Sequence, residues 1–288
     1  MESISIPAGR LAFDARLAGP EGGRPVLLLH GFPQTSWSFR FQLAALAQAG
    51  YRALAPDQRG YSSGARPTEV SDYRVAHLVE DAMAFADWLG VEKIDLVGHD
   101  WGGAVAWAVA ARHPERIRTL TVVSTPHPLA FAQALGSNET DQSDRSSYMQ
   151  FFAQPEIPEQ TLLSDEGAGL RAMFVQSGFG AKNGDDAEAD EIAVYIEAML
   201  QPGAMTGALN WYRAVSAEDM GGVGRIAVPT MYVWSTEDVA LGREAAEDTA
   251  NYVDGPYRFE VLEGISHWIP EQASGELSRL LLEHLGSH

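Results

Sequence analysis

A mostly parallel β-sheet with helices on both faces is the fold class this sequence predicts, interrupted once by a helical insertion. Three observations carry the prediction. Short runs of Val, Ile and Leu alternate with stretches of helical spacing. That alternation stops near Pro126 and resumes near Val228. Finally, 288 residues with 45% hydrophobic and 20% charged side chains suit one large folded α/β unit.

The elements follow in order. Val26–His30 (VLLLH) reads as a buried strand, and Ser36–Ala49 as an amphipathic stretch after it. Tyr51–Pro56 is the next strand. Val75–Leu89 has helical spacing, with Leu78, Met83, Phe85 and Trp88 available to a core. Ile94–Gly98 is a strand that runs directly into the helix-like GGAVAWAVAARH, and Thr119–Ser124 is another strand. Helical pieces then appear at Glu159–Leu163, Ala189–Leu200 and Gly207–Ala214, between loops rich in Gly, Ser and Asp. The stretch 183–191 (NGDDAEADE) reads as a solvated acidic loop entering a helix. A connection of about 100 residues is too long for a bare loop, so a folded cap is expected there. The rhythm resumes with a strand at Thr230–Trp234, a helix around Arg243–Tyr252, a strand around Tyr257–Leu262 and a helix at Ser274–Leu285. The expected organisation is a core of 1–126 and 229–288 with a helical cap of 127–228.

Composition narrows the function. Against 39 Asp+Glu there are 20 Lys+Arg, a formal charge of −19, so nucleic acid and anionic membranes are poor partners. With no Cys, a disulfide scaffold, a thiolate zinc site, an Fe–S cluster and a cysteine nucleophile are all excluded. The N-terminus lacks the basic and apolar regions of a signal peptide. The small-apolar run Gly102–Ala111 is far shorter than the ~20 residues of a membrane span. A soluble cytoplasmic protein is expected.

The strongest chemical signal is IDLVGHDWGG. A strand ends at Gly98-His99-Asp100-Trp101-Gly102 and a helix begins at once. Small residues two positions either side permit a sharp turn that presents Asp100 as a nucleophile. A carboxylate is ionised at neutral pH and needs no base to attack. Its ester with an alkyl carbon is cleaved at the enzyme's own carbonyl, whereas a serine attacking that carbon would leave an inert ether. An Asp here therefore points to a saturated carbon bearing a leaving oxygen or halogen. His267, after the last strand and before the last helix, is the expected general base. Asp238, after the strand Met231–Trp234, is the expected partner of that base, with the adjacent Glu237 as the alternative. His30-Gly31-Phe32-Pro33 ends the first core strand and offers the Phe32 N–H, which with the Trp101 N–H forms a candidate oxyanion hole. Asp57-Gln58-Arg59-Gly60 reads as a structural turn with a buried ion pair. His113 and His284 read as surface or cap residues, His127 as near the site without a role, and Tyr195 as core.

HGFPQ, DQRGYSSG, GHDWGG and the late SHW together resemble the α/β-hydrolase superfamily, and within it the epoxide hydrolases, over roughly Ile6–Leu285. The resemblance implies the α/β-hydrolase fold, with the helical cap inserted after the sixth strand. It also implies two cap tyrosines that hold the epoxide oxygen. Asn210-Trp211-Tyr212-Arg213 matches the NWYR-like motif of one, and Tyr148-Met149-Gln150-Phe151-Phe152-Ala153-Gln154-Pro155 the pattern of the other. Two phenols suit a reaction that builds an alkoxide. GHDWGG is shared with haloalkane dehalogenases, so a dehalogenase using the same Asp100 is the alternative. The Asn that such enzymes resemble one another in carrying after His-Gly is replaced here by Phe32. A non-catalytic ligand-binding protein of this fold is a remoter alternative.

The resulting expectation is hydrolysis of an epoxide to a vicinal diol through an Asp100 ester, without metal or organic cofactor. Phe32, Trp101, Phe151 and Trp268 are the expected substrate-binding walls. The expected partner is a small apolar epoxide, with a homodimer allowed.

Overall fold

Each core strand of the computed structural model divides its side chains between two faces, as a period of two requires. Val26, Leu28, Val97, Val123, Met231 and Val233 join one apolar cluster. Their neighbours Leu27, Leu29, Leu96, Val122, Tyr232 and Trp234 join the other. Both faces are therefore covered, which is the condition under which parallel strands read as unbroken apolar runs. The structure described is that of residues 1–179, 186–216, 219 and 222–288, and for 186–190 the backbone alone.

Eight strands form one sheet: β1 (Glu2–Ala8), β2 (Leu11–Ala18), β3 (Arg24–Leu29), β4 (Tyr51–Pro56), β5 (Ile94–His99), β6 (Ile117–Val123), β7 (Thr230–Glu237) and β8 (Tyr257–Ser266). Their order is β1-β2-β4-β3-β5-β6-β7-β8. The β1–β2 and β2–β4 pairs are antiparallel and the rest parallel. Helices α1 (Arg40–Gln48), α2 (Val75–Trp88) and α3 (Trp101–Arg112) lie between the early strands. Phe39, Leu43 and Leu46 of the α1 region and Leu277, Leu280, Leu281 and Leu285 cover one face. Leu78, Val79 and Phe85 of α2 and Val105 to Ala110 of α3 cover the other.

Between β6 and β7 the chain runs through α4 (Pro128–Leu135), α5 (Gln142–Arg145), α6 (Tyr148–Phe152), α7 (Ile157–Gln176), α8 (Asp186–Leu200) and α9 (Ala204–Ala214). Helix α7 is broken at Ser164–Gly167, where Asp165, Glu166 and Gly167 take left-handed angles. The acidic stretch 183–191 falls partly outside the described residues, and α8 already begins at Asp186. After β7 come α10 (Arg243–Asp248), α11 (Ile269–Gln272) and α12 (Ser274–Gly286). Helix α4 packs on α10.

The hairpin of β1 and β2 supplies the two strands before the cap that residue patterning does not reveal, and one sequence expectation changes. His284 is buried, not a surface or cap residue. It falls on the inner stripe of α12 with Leu277, Leu280 and Leu281, as helical spacing of three and four requires. The buried ion pair of the DQRG turn joins Arg59 to Asp81 of α2 at 2.7 Å, while Asp57 of the turn accepts from the Ser36 N–H.

Candidate active site

Asp100 stands at the junction of β5 and α3 with φ 51° and ψ −122°, a strained conformation for a residue with a side chain. The turn closes because its flanks are glycine. A Cβ on Gly98 would lie 2.2 Å from the Gly102 carbonyl oxygen, and one on Gly102 would lie 2.0 Å from that of Leu29. The Asp100 carbonyl accepts from the Gly103 N–H and from Thr125 Oγ1, which locks the turn. Its carboxylate thus sits at the N-terminus of α3, where the helix dipole favours negative charge.

The Phe32 N–H donates to Asp100 Oδ1 at 2.7 Å. Burial opposes ionisation of Asp100. The nearby His267 charge and the Trp101 backbone N–H outweigh it, holding the carboxyl below its usual range. His30 ties the end of β3 to the DQRG turn: its Nε2 accepts the Gln58 N–H at 3.0 Å, and burial lowers the ring's pKa and keeps it neutral.

His267 follows β8 directly, and its ring spans two carboxylates. Nδ1 donates to Asp238 Oδ2 at 2.8 Å, and Nε2 lies 3.6 Å from Asp100 Oδ2. The His267 carbonyl accepts from His99 Nε2 at 2.9 Å and from Ser124 Oγ at 3.2 Å, which fixes the loop. Burial alone would lower the imidazole pKa. The charges of Asp238 and Asp100 overcome it and raise the value to about 10. Asp238 Oδ1 is occupied by the N–H groups of Ala240 and Leu241, at 2.9 and 3.0 Å. Glu237 is exposed, so of the two neighbours it is Asp238 that reaches His267.

Tyr148 on α6 and Tyr212 on α9 face each other with ring centroids 6.3 Å apart. Tyr212 also meets Phe32 and Trp101 edge-to-face, at 5.3 and 5.1 Å. Burial, and then the charge of Asp100, push both phenols well above their ordinary range, so both remain O–H donors at neutral pH. Helix α9 is held over the site by its own motif. The Trp211 indole donates to the Arg59 carbonyl at 2.9 Å, and Arg213 pairs with Glu159 at 2.9 Å.

A cavity of about 530 Å³ lies over Asp100 and His267, lined by Phe32, Phe151, Phe152, Leu162, Trp268 and both tyrosines. A second, of about 70 Å³, shares Asp100, Tyr148 and Tyr212 with it and includes Trp101 among its walls. The structure thus brings together every residue singled out from the sequence for this site. His127 stands apart, capping α4 through the Leu129 N–H. Tyr195 is buried as expected, and its phenol donates to Glu271. Among the described residues no cluster of His, Asp or Glu is suited to hold a metal, and no helix is long and apolar enough to cross a membrane.

Some contributors were not read from the sequence. Arg145 donates to the Asp238 carbonyl at 2.7 Å. Glu271 accepts from Gln34, two residues after Phe32, and from Tyr195 of α8. The only sequence signal for the latter is its place four residues after His267.

The alpha/beta hydrolase fold model matches residues 24–274 of the chain. Relatives span nearly all of it. AB hydrolase superfamily protein YfhM of Bacillus subtilis is 35% identical over 93% of this chain and 92% of its own. Epoxide hydrolase 2 of Caenorhabditis elegans is 33% identical over 92% of this chain and 74% of its own. The solved structure of epoxide hydrolase A from Mycobacterium thermoresistibile superposes with a TM-score of 0.84 at 28% identity, covering 99% and 98% of the two chains. The chain therefore belongs to the α/β-hydrolase superfamily and, within it, to the epoxide hydrolase family.

Proposed function

We propose that this protein hydrolyses an epoxide to a vicinal diol through an ester on Asp100. The observation that carries this reading is the arrangement at one cavity: an ionised carboxylate, a histidine bridged to a second carboxylate, and two protonated phenols. Residues 127–228 serve as the cap, and residues 1–126 and 229–288 as the core that supplies the triad.

In the first step Asp100 Oδ2 attacks an epoxide carbon and the C–O bond to that carbon breaks. The ring oxygen takes a proton from Tyr148 or Tyr212. Esterification removes the Asp100 charge, one of the two that hold His267 protonated at rest. The imidazolium pKa falls, and its proton passes to the phenolate. The histidine becomes a base only after the nucleophile has been consumed.

In the second step His267 Nε2 takes a proton from water, and the hydroxide adds to Asp100 Cγ. The Phe32 and Trp101 N–H groups receive the developing oxyanion. Collapse releases the diol, which leaves with the remaining hydroxyl proton. The Asp100 carboxylate and the His267 imidazolium are restored, so the sum is epoxide plus water to diol. Asp238 holds Nδ1 protonated throughout, leaving Nε2 free for water.

The test is a panel of epoxides and haloalkanes with product analysis. Diol from epoxides, and its loss in Asp100→Ala, are expected. Halide release without diol, or unchanged turnover by Asp100→Ala, would overturn the reading.

A further inference from the structure

We infer that the site is shaped for epoxides carrying one bulky apolar substituent and, on the other ring carbon, a group smaller than a phenyl ring. This rests on the proposed epoxide reaction. It follows from the unequal size of the two cavities that meet at the reacting groups.

Asp100, Tyr148 and Tyr212 are the residues common to both cavities. An epoxide whose oxygen is held by the two phenols and whose carbon faces Asp100 lies at that junction. The substituents of its two carbons then diverge, one into each cavity. The larger space, about 530 Å³, is more than three times the roughly 150 Å³ that accommodates a benzene ring. The smaller, about 70 Å³, is less than half of that, short of the space a benzene ring takes. Both are apolar: Phe151, Leu162 and Met173 wall the larger, and Phe131, Met149 and Leu241 the smaller.

The small cavity is also the one that cannot readily expand. Its lining residues Thr125, Pro126 and Pro128 belong to the junction of β6 and α4. The Trp107 indole holds the Thr125 carbonyl at 3.0 Å, and Thr125 Oγ1 holds the Asp100 carbonyl at 2.7 Å. His127 N–H is tied to Thr249 Oγ1 at 2.9 Å. Leu241 is fixed at both backbone atoms, its N–H on Asp238 Oδ1 and its carbonyl on the Trp234 indole. Widening this space at Thr125 or Leu241 breaks these hydrogen bonds, which is costly.

The experiment compares styrene oxide, trans-β-methylstyrene oxide and trans-stilbene oxide. The wild type is expected to hydrolyse the first two with kcat/KM within tenfold of each other, and the third at least 100-fold more slowly. Leu241→Ala removes wall from the small cavity without touching the backbone bonds. It is expected to raise the ratio of kcat/KM for trans-stilbene oxide to that for styrene oxide at least tenfold. Phe131→Leu carries the same expectation should Leu241→Ala fail to fold. Wild-type turnover of trans-stilbene oxide within tenfold of styrene oxide overturns the inference and leaves the epoxide reaction standing. So does the absence of any gain in a folded, styrene oxide-active variant. Consumption of none of the three overturns both.

Discussion

Asp238→Asn separates the two halves of the proposed reaction, because the structure dictates how the amide must sit. Asp238 Oδ1 accepts two backbone N–H groups, from Ala240 and Leu241. In the variant that position requires the amide oxygen, since an NH₂ would oppose two donors. The amide nitrogen then takes the place of Oδ2 and donates to His267 Nδ1, now 2.8 Å away as an acceptor. The imidazole is forced to carry its proton on Nε2, facing Asp100, and can no longer accept one from water. Attack by Asp100 is retained, since its carboxylate and the two phenols are untouched. Ester hydrolysis is expected to fall about 10³–10⁴-fold, the scale for a base locked in the wrong tautomer. The assay mixes enzyme with sub-stoichiometric and then excess epoxide. One equivalent should disappear without diol, and the intact protein should gain the mass of one substrate on the peptide containing Asp100. Steady turnover within tenfold of wild type, with no such adduct, would refute the reasoning.

Other outcomes follow from the same geometry. Tyr212→Phe should lower kcat/KM by about 10–100-fold, and the double change with Tyr148→Phe should abolish diol formation, because one phenol still stabilises the alkoxide in the single variant. Gly31→Ala would place a Cβ 2.1 Å from Asp100 Oδ1; displacing the carboxylate from the Phe32 N–H should reduce turnover at least about 100-fold, seen in single-turnover kinetics. Burial raises the Glu271 pKa from 4.5 to about 7. A carboxyl whose folded pKa is raised gives stability present below about pH 4.5 and lost as pH rises through 7. Relative to Glu271→Gln, the wild type should therefore lose up to about 3 kcal/mol of urea-unfolding stability between pH 4.5 and 8, the difference between the two proteins isolating this carboxyl from the titrating histidines.

Most of the parallel sheet was readable because its strands are buried on both faces and announce themselves as VLLLH, YRALAP and IDLVG. The hairpin of β1 and β2 lies at the sheet edge, where Ile6 and Phe13 are its only fully buried large side chains, and so thin an alternation is easily missed. Asp100 was legible because the turn that presents it excludes side chains at Gly98 and Gly102, a local constraint written in five consecutive residues. The groups that position the site were not. Gln34 and Glu271 meet across 237 positions, and Arg145 reaches Asp238 across 93. Such pairings depend on how distant elements pack, and no local pattern encodes them.

The Trp211 indole on the Arg59 carbonyl, and the contact of Gly207 with Gly60, where an added Cβ would come within 2.7 Å of backbone, fasten α9 to the core. In the proposed reaction α9 supplies a proton donor, whereas α7 contributes only Thr161, Leu162, Gly169, Ala172, Met173 and Gln176 to the cavity wall. One phenol and part of the larger cavity's wall are thereby carried on separate stretches of chain. Single wall residues of α7 such as Leu162 and Met173 can therefore be exchanged to reshape the larger cavity while Trp211 keeps Tyr212 in register.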